Sequence, residues 1–127
     1  MISPWEWQAE LKSPDGNLVA TIADAMEIAM GGPTSGELKL SNGINREHCN
    51  PSFVWSADSR FLAVPQWTKE RNQRLLIIDV VARQSRYAPG EYRVMQLESF
   101  ENMVVKGVDS PIHMPRIIEL DVTKIGW

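Results

Sequence analysis

Few side chains in this sequence are of the types that do chemistry, and they are thinly spread. His48, Cys49 and His113 are the only soft metal ligands, with Glu47 and Asp109 near them as oxygen donors. Zinc needs three or four ligands converging in a fixed geometry. No two of the three soft ligands stand at i,i+2 or i,i+4, so the spacing favours ordinary loop residues, and neither a metal nor a cofactor is expected. Nucleophilic catalysis would need Ser56 or Cys49 beside a histidine. No Gly-x-Ser-x-Gly elbow is present, and no Lys-Ser/Thr follows Gly31-Gly32 to make a phosphate loop.

Ser56 also recurs, as Ser13 and Ser99, at intervals of 43 residues. An acid recurs two places later as Asp15, Asp58 and Glu101. Recurrence is what a turn residue shows, so these serines and acids are expected to shape hairpins rather than catalyse. Asp79 and Asp121 recur too, near Arg74 and Arg116, and are expected to make ion pairs or backbone contacts. No catalytic residue is assigned.

The segment Trp67-Thr-Lys-Glu-Arg-Asn-Gln-Arg74 differs. It interrupts two apolar runs and has no counterpart elsewhere, so the fold does not demand it. Trp and Arg dominate binding hot spots. The competing reading is a solvated hairpin loop whose Trp folds back on the sheet.

Composition narrows the partners. The 127 residues suit one domain, and the net charge is −3 with no basic cluster, which argues against nucleic acid. A single cysteine allows no intrachain disulfide. No apolar run reaches the roughly 18 residues that span a bilayer. The start, Met-Ile-Ser-Pro-Trp-Glu-Trp, has no signal-peptide pattern. A cytoplasmic protein without a membrane partner is expected.

The elements that must position these residues come from the repeat. Leu18-Val19, Phe61-Leu62 and Val104-Val105 follow the three turns, and Leu11, Val54 and Leu97 precede them. Arg74-Leu-Leu-Ile-Ile-Asp-Val80 matches Arg116-Ile-Ile-Glu-Leu-Asp-Val122 at an offset of 42. Three units result, at about residues 1–43, 44–88 and 89–127, in a single domain over 1–127. Each reads as strand, polar hairpin, strand, longer loop, strand. Residues 85–88 read as a fourth strand of the second unit. Residues 23–30 read either as a helix stopped by Gly31-Gly-Pro33 or as a strand that runs on.

The stretch Val54-Trp-Ser-Ala-Asp-Ser-Arg-Phe-Leu-Ala63 resembles the blade repeat of TolB-type β-propellers, related to WD40 repeats and to the propeller of prolyl oligopeptidases. In that pattern a Trp-Ser-Pro-Asp-Gly turn joins the first two strands. Ala57 and Ser59 replace its Pro and Gly, and Lys12 replaces its Trp in the first unit. The resemblance implies an all-β fold of three propeller-blade-like antiparallel units. Three blades cannot close a ring, so one compact open domain is expected, with a homodimer as one way of completing it.

These families share no single function. With no catalytic constellation, the expected role is non-enzymatic: a small bacterial module that binds another protein, as a toxin-neutralising or regulatory partner. The alternatives are an accessory fragment of a propeller-containing hydrolase or peptidase, and a small-ligand or carbohydrate binder. In the blade pattern the loops at 24–36, 43–51, 66–73 and 107–115 open on one side, opposite the Ser13, Ser56 and Ser99 turns. Partner binding is therefore expected at Trp67 and Arg71, with Lys69, Arg46, His48 and His113.

Overall fold

The computed structural model describes residues 1–126, and every regular element but one short turn is β. The strands are β1 (Ala9–Lys12), β2 (Val19–Glu27), β3 (Thr34–Leu40), β4 (Asn45–Cys49), β5 (Val54–Trp55), β6 (Phe61–Trp67), β7 (Gln73–Asp79), β8 (Gln84–Tyr87), β9 (Met95–Glu101), β10 (Val104–Asp109) and β11 (Arg116–Asp121). A 3-10 turn over Val122–Lys124 follows, capped by the Asp121 carboxylate. All pairings are antiparallel. Eight strands form one sheet in the order β1-β2-β3-β4-β6-β7-β8, with β5 on β6, and β11-β10-β9 form a second. The fold is thus all-β and open, with no closed barrel.

Three meanders stack along the chain. The first is β1 to β4, the second β5 to β8, the third β9 to β11. The inner strands of the middle one, β6 and β7, are buried on both faces. Leu62, Val64, Leu76 and Ile78 pack towards the first meander, against Ile22, Leu38 and Phe53. Phe61, Ala63, Leu75 and Ile77 pack towards the third, against Met95, Leu97, Val105 and Ile118. A strand covered on both faces reads as a continuous apolar run, which explains Leu75-Leu-Ile-Ile78. Trp55 lies in the first of these cores, paired with Leu62, and its indole N–H donates to the Leu11 carbonyl at 2.8 Å.

The first two hairpin turns are near copies. Ser13 Oγ donates to Asp15 Oδ1 at 2.7 Å and accepts from Leu18 N at 3.1 Å. Ser56 Oγ donates to Asp58 Oδ1 at 2.5 Å and accepts from Phe61 N at 2.9 Å. Gly16 (φ 77°) and Ser59 (φ 65°) take the same left-handed position, where glycine is the unstrained residue. Ser59 Oγ also accepts the Asp15 N–H at 2.9 Å, tying the two turns together.

The third turn differs from the expectation at Ser99. That serine lies within β9, and the hairpin turns at Asn102 and Met103, both with φ near 50–60° (51° and 62°). Two left-handed central residues make the tight turn that matches strand twist. A bulge between Lys106 and Gly107 then shifts the β9–β10 register. Residues 23–27 continue β2 as a strand through a bulge near Asp24 (φ 54°), so the helix reading fails there. The first meander also runs past residue 43, because β4 pairs with β3.

Candidate interaction surface

Register sorts the connections onto two ends. Glu27 pairs with Thr34, Cys49 with Gln66 and Trp67 with Gln73, so these strand ends lie together. Gln73 and Tyr92 exchange backbone hydrogen bonds of 2.7 and 2.8 Å, and Ser110 N donates to Val94 O at 2.8 Å, which brings the third meander's end alongside. This is the loop end. The Ser13 and Ser56 turns and the Asn102 turn occupy the other, the hairpin end.

The loop end is built around the Thr34 carbonyl. It accepts from Asn50 Nδ2 at 3.0 Å and from Trp67 Nε1 at 3.0 Å. Asn50 Nδ2 also donates to Pro4 O at 2.9 Å, and Thr34 N donates to the same carbonyl at 3.1 Å. Asn50 and Thr34 are fully buried, so these bonds satisfy groups that water cannot reach. Through Pro4 the frame holds residues 1–7 as a strap, which runs from the hairpin-end groove at Met1 to this end at Trp5. Trp5 Nε1 donates to Gly31 O at 3.2 Å in the β2–β3 turn. Its ring lines a pocket of about 140 Å³ with Val94, Pro111 and Ile112 of the third meander. Ala25 N donates to Trp7 O at 3.0 Å.

This frame presents large apolar side chains to solvent. Trp7, Met26 and Met30 are 54%, 69% and 101% exposed, and Ile112 and Met114 about as much, at 76% and 75%. Trp5 joins the two groups. Scattered exposed apolar residues mean little, but several large ones at one end of a fixed frame mark a candidate contact surface. Methionine suits such surfaces because it is flexible and polarizable.

The residues singled out from the sequence fall in several settings. Trp67 is half-buried and bonded inward to Thr34 O, which is the folded-back setting. Lys69 and Arg71 are exposed on the β6–β7 turn of the loop end, with Arg71 at φ 63°. His113 is exposed on the β10–β11 turn and lines the Trp5 pocket. His48 (φ 59°) is exposed near the end of β4, its Nε2 4.0 Å from Glu47. Arg46 sits further down β4, opposite Leu38, where it reaches Ser85 Oγ at 3.4 Å; it is apart from the others. Sequence reasoning missed Trp5, Met30 and Ile112. The signal was there in five tryptophans for 127 residues, two of them in the first seven.

The reactive types are otherwise engaged. Cys49 is fully buried, and burial pushes its thiol up to about 12, so no thiolate forms near neutrality. The hydroxyls of Ser13 and Ser56 are used within their turns. Among the described residues no three His, Cys, Asp or Glu side chains gather as a metal site. Asp79 is buried in a polar knot: burial raises its carboxyl, but Arg60 (Nη2–Oδ2 3.0 Å) and the N–H groups of Ala82 and Val81 outweigh that and hold it below the usual range. Among the described residues Arg74 pairs with no acid; its guanidinium lies over the Tyr87 ring at 3.9 Å.

An open groove of about 450 Å³ runs between the inner strands at the hairpin end, lined by Leu11, Trp55, Glu98 and Phe100. Trp55 and Phe100 are almost wholly buried, so the groove offers little aromatic face to a sugar ring. Among the described residues no helix is long and apolar enough to cross a membrane. Neither a protein-family model nor a curated protein matches the chain.

Proposed function

We propose that this protein is a non-enzymatic protein-binding module, acting as a toxin-neutralising or regulatory partner, and that its partner lies on the loop end. One observation carries the reading. Trp7, Met26, Met30, Ile112 and Met114 are exposed on a frame fixed by buried hydrogen bonds, while at the hairpin end the Ser13 and Ser56 turns satisfy their own polar groups. Lys69, Arg71 and His113 provide a charged rim, as contact surfaces have around an apolar centre. The propeller-like repeat supplies a scaffold on which loops can vary without disturbing the fold.

The test is capture from the native host followed by titration with the captured partner. Met30→Asp and Ile112→Asp should each weaken binding by about 2 kcal/mol or more, near 30-fold, as central anchors do. Arg71→Ala, at the rim, should cost less. Arg83→Ala, at the hairpin end, should leave affinity unchanged. The reverse pattern would move the interface to the other end and sink the proposal.

A further inference from the structure

In the first two meanders a fourth strand covers the outer edge of the third: β4 lies on β3, and β8 on β7. In the third meander β11 pairs only with β10 among the described residues. Two independent observations say which of its backbone groups are left over. Val122 N donates to Met103 O at 2.8 Å. Antiparallel residues alternate in direction, so 116, 118 and 120 face β10, and the N–H and C=O of Ile117, Glu119 and Asp121 face outward. In β7, Ala88 N donates to Leu75 O at 2.9 Å, so Leu75, Ile77 and Asp79 are the residues bonded to the fourth strand. The sequence repeat aligns Ile117, Glu119 and Asp121 with those same three positions.

We propose that the β11 edge receives an extended strand from a partner protein, paired antiparallel and carrying a basic residue followed by an aromatic one. The β8 strand shows the chemistry that fits. Arg86 stands opposite Ile77, and Tyr87 opposite Leu76 beneath the Arg74 guanidinium. Carried to β11, a basic side chain stands opposite Glu119, where it meets a carboxylate. An aromatic stands opposite Ile118, within reach of Arg116, the counterpart of Arg74. Ile117, 86% exposed, would be covered by the residue after the aromatic, as Ala88 lies beside Leu75. Strand addition takes its affinity from main-chain bonds and its selectivity from alternate side chains. A second copy pairing edge to edge about Glu119 is a weaker fit, because it sets two carboxylates directly opposite each other. The inference stands independently of the loop-end reading.

The test uses the full chain and the synthetic peptide Ala-Arg-Gln-Ser-Arg-Tyr-Ala-Pro, a copy of residues 82–89, followed by amide hydrogen exchange. At about 1 mM peptide, the amides of Ile117, Glu119 and Asp121 should slow at least tenfold, while those of 118 and 120, already bonded, should not change. Arg116→Ala should weaken binding about three- to fivefold, the loss of one exposed cation–π contact. Ile117→Pro removes an outward N–H without touching the β10 ladder and should abolish binding. Glu119→Lys should weaken it as well, and serves if the proline variant does not fold. No slowing at these three amides, or equal slowing in the variants, overturns the proposal. Slowing that rises with protein concentration and needs no peptide would put a second copy at the edge, and overturns the choice of occupant.

Discussion

The second and third meanders share a strand order and a spacing, yet matching positions meet opposite surroundings. Leu75 is fully buried and its counterpart Ile117 is 86% exposed. Ile77 corresponds to Glu119 and Ala63 to Lys106, and Lys106 stands directly opposite Glu119 on β10 and β11. Those substitutions fall on the face that the second meander buries against the third and that the third turns to solvent. A central unit in a stack must be apolar on both faces. A terminal one needs charges on its outer face, which also discourage further stacking. The pattern of burial is therefore set by position in the stack, while the strand order is common to both.

The largest effect expected from this contrast is at Trp55. Trp55→Ala should cost about 3–5 kcal/mol in urea unfolding. Glu98→Ala, at the equivalent repeat position and exposed, should stay within about 0.5 kcal/mol. Next comes the pair that defines the contrast. Leu75→Ala should cost about 2–5 kcal/mol and Ile117→Ala within about 0.5 kcal/mol. Equal losses would show that the outer face of the third meander is covered in solution.

Gly107 sharpens the comparison, since its counterpart is the buried Val64. At the bulge a Cβ on Gly107 would overlap the Gln96 carbonyl oxygen and come within 3.0 Å of the Leu97 Cα. Gly107→Ala should cost about 1–3 kcal/mol through forced backbone shifts, measured by thermal melting. The smallest effect concerns Asp79, which pairs with Arg60, whereas its counterpart Asp121 caps a turn through Thr123, without an ion pair among the described residues. Because Arg60 is half-exposed, Asp79→Asn should cost only about 1 kcal/mol at pH 7. The folded carboxyl titrates below its ordinary 3.8, so this stabilisation is present above that value and is lost as pH falls through the folded one. The gap between wild type and Asp79→Asn should close in acid. A gap that widened there would contradict the sign.

What the sequence revealed was what is local. The Ser13–Asp15 and Ser56–Asp58 turns could be read because their bonds span two to five residues. The apolar run of β7 could be read as a strand, while its coverage on both faces is seen only in the structure. The third turn was misplaced because its bulge offsets its shorter loop. Ser99 keeps the 43-residue interval while the chain reverses three residues later. The loop-end surface was only half legible. Turns with variable composition suggested it, and Lys69, Arg71 and His113 do lie there. Its apolar centre depends on Trp5, whose hydrogen bond spans 26 residues, and no short-range pattern encodes such a contact. Trp67 attracted notice as an anchor, but whether its indole points outward or to Thr34 depends on a chain segment 33 residues away.

The strap of residues 1–7 bears on how the molecule comes apart. Its contacts are among the longest in the chain, reaching 46 residues to Asn50 and 95 to Gln96, beside Met1. Closing loops of that length costs entropy before any contact rewards it, so such contacts are expected to form late on the folding route. Interactions absent from the transition state leave the rate of assembly alone and govern the rate of escape. Docked across the first and third meanders, the strap acts as a latch. Removing it should leave refolding rates nearly unchanged and shorten the lifetime of the folded protein.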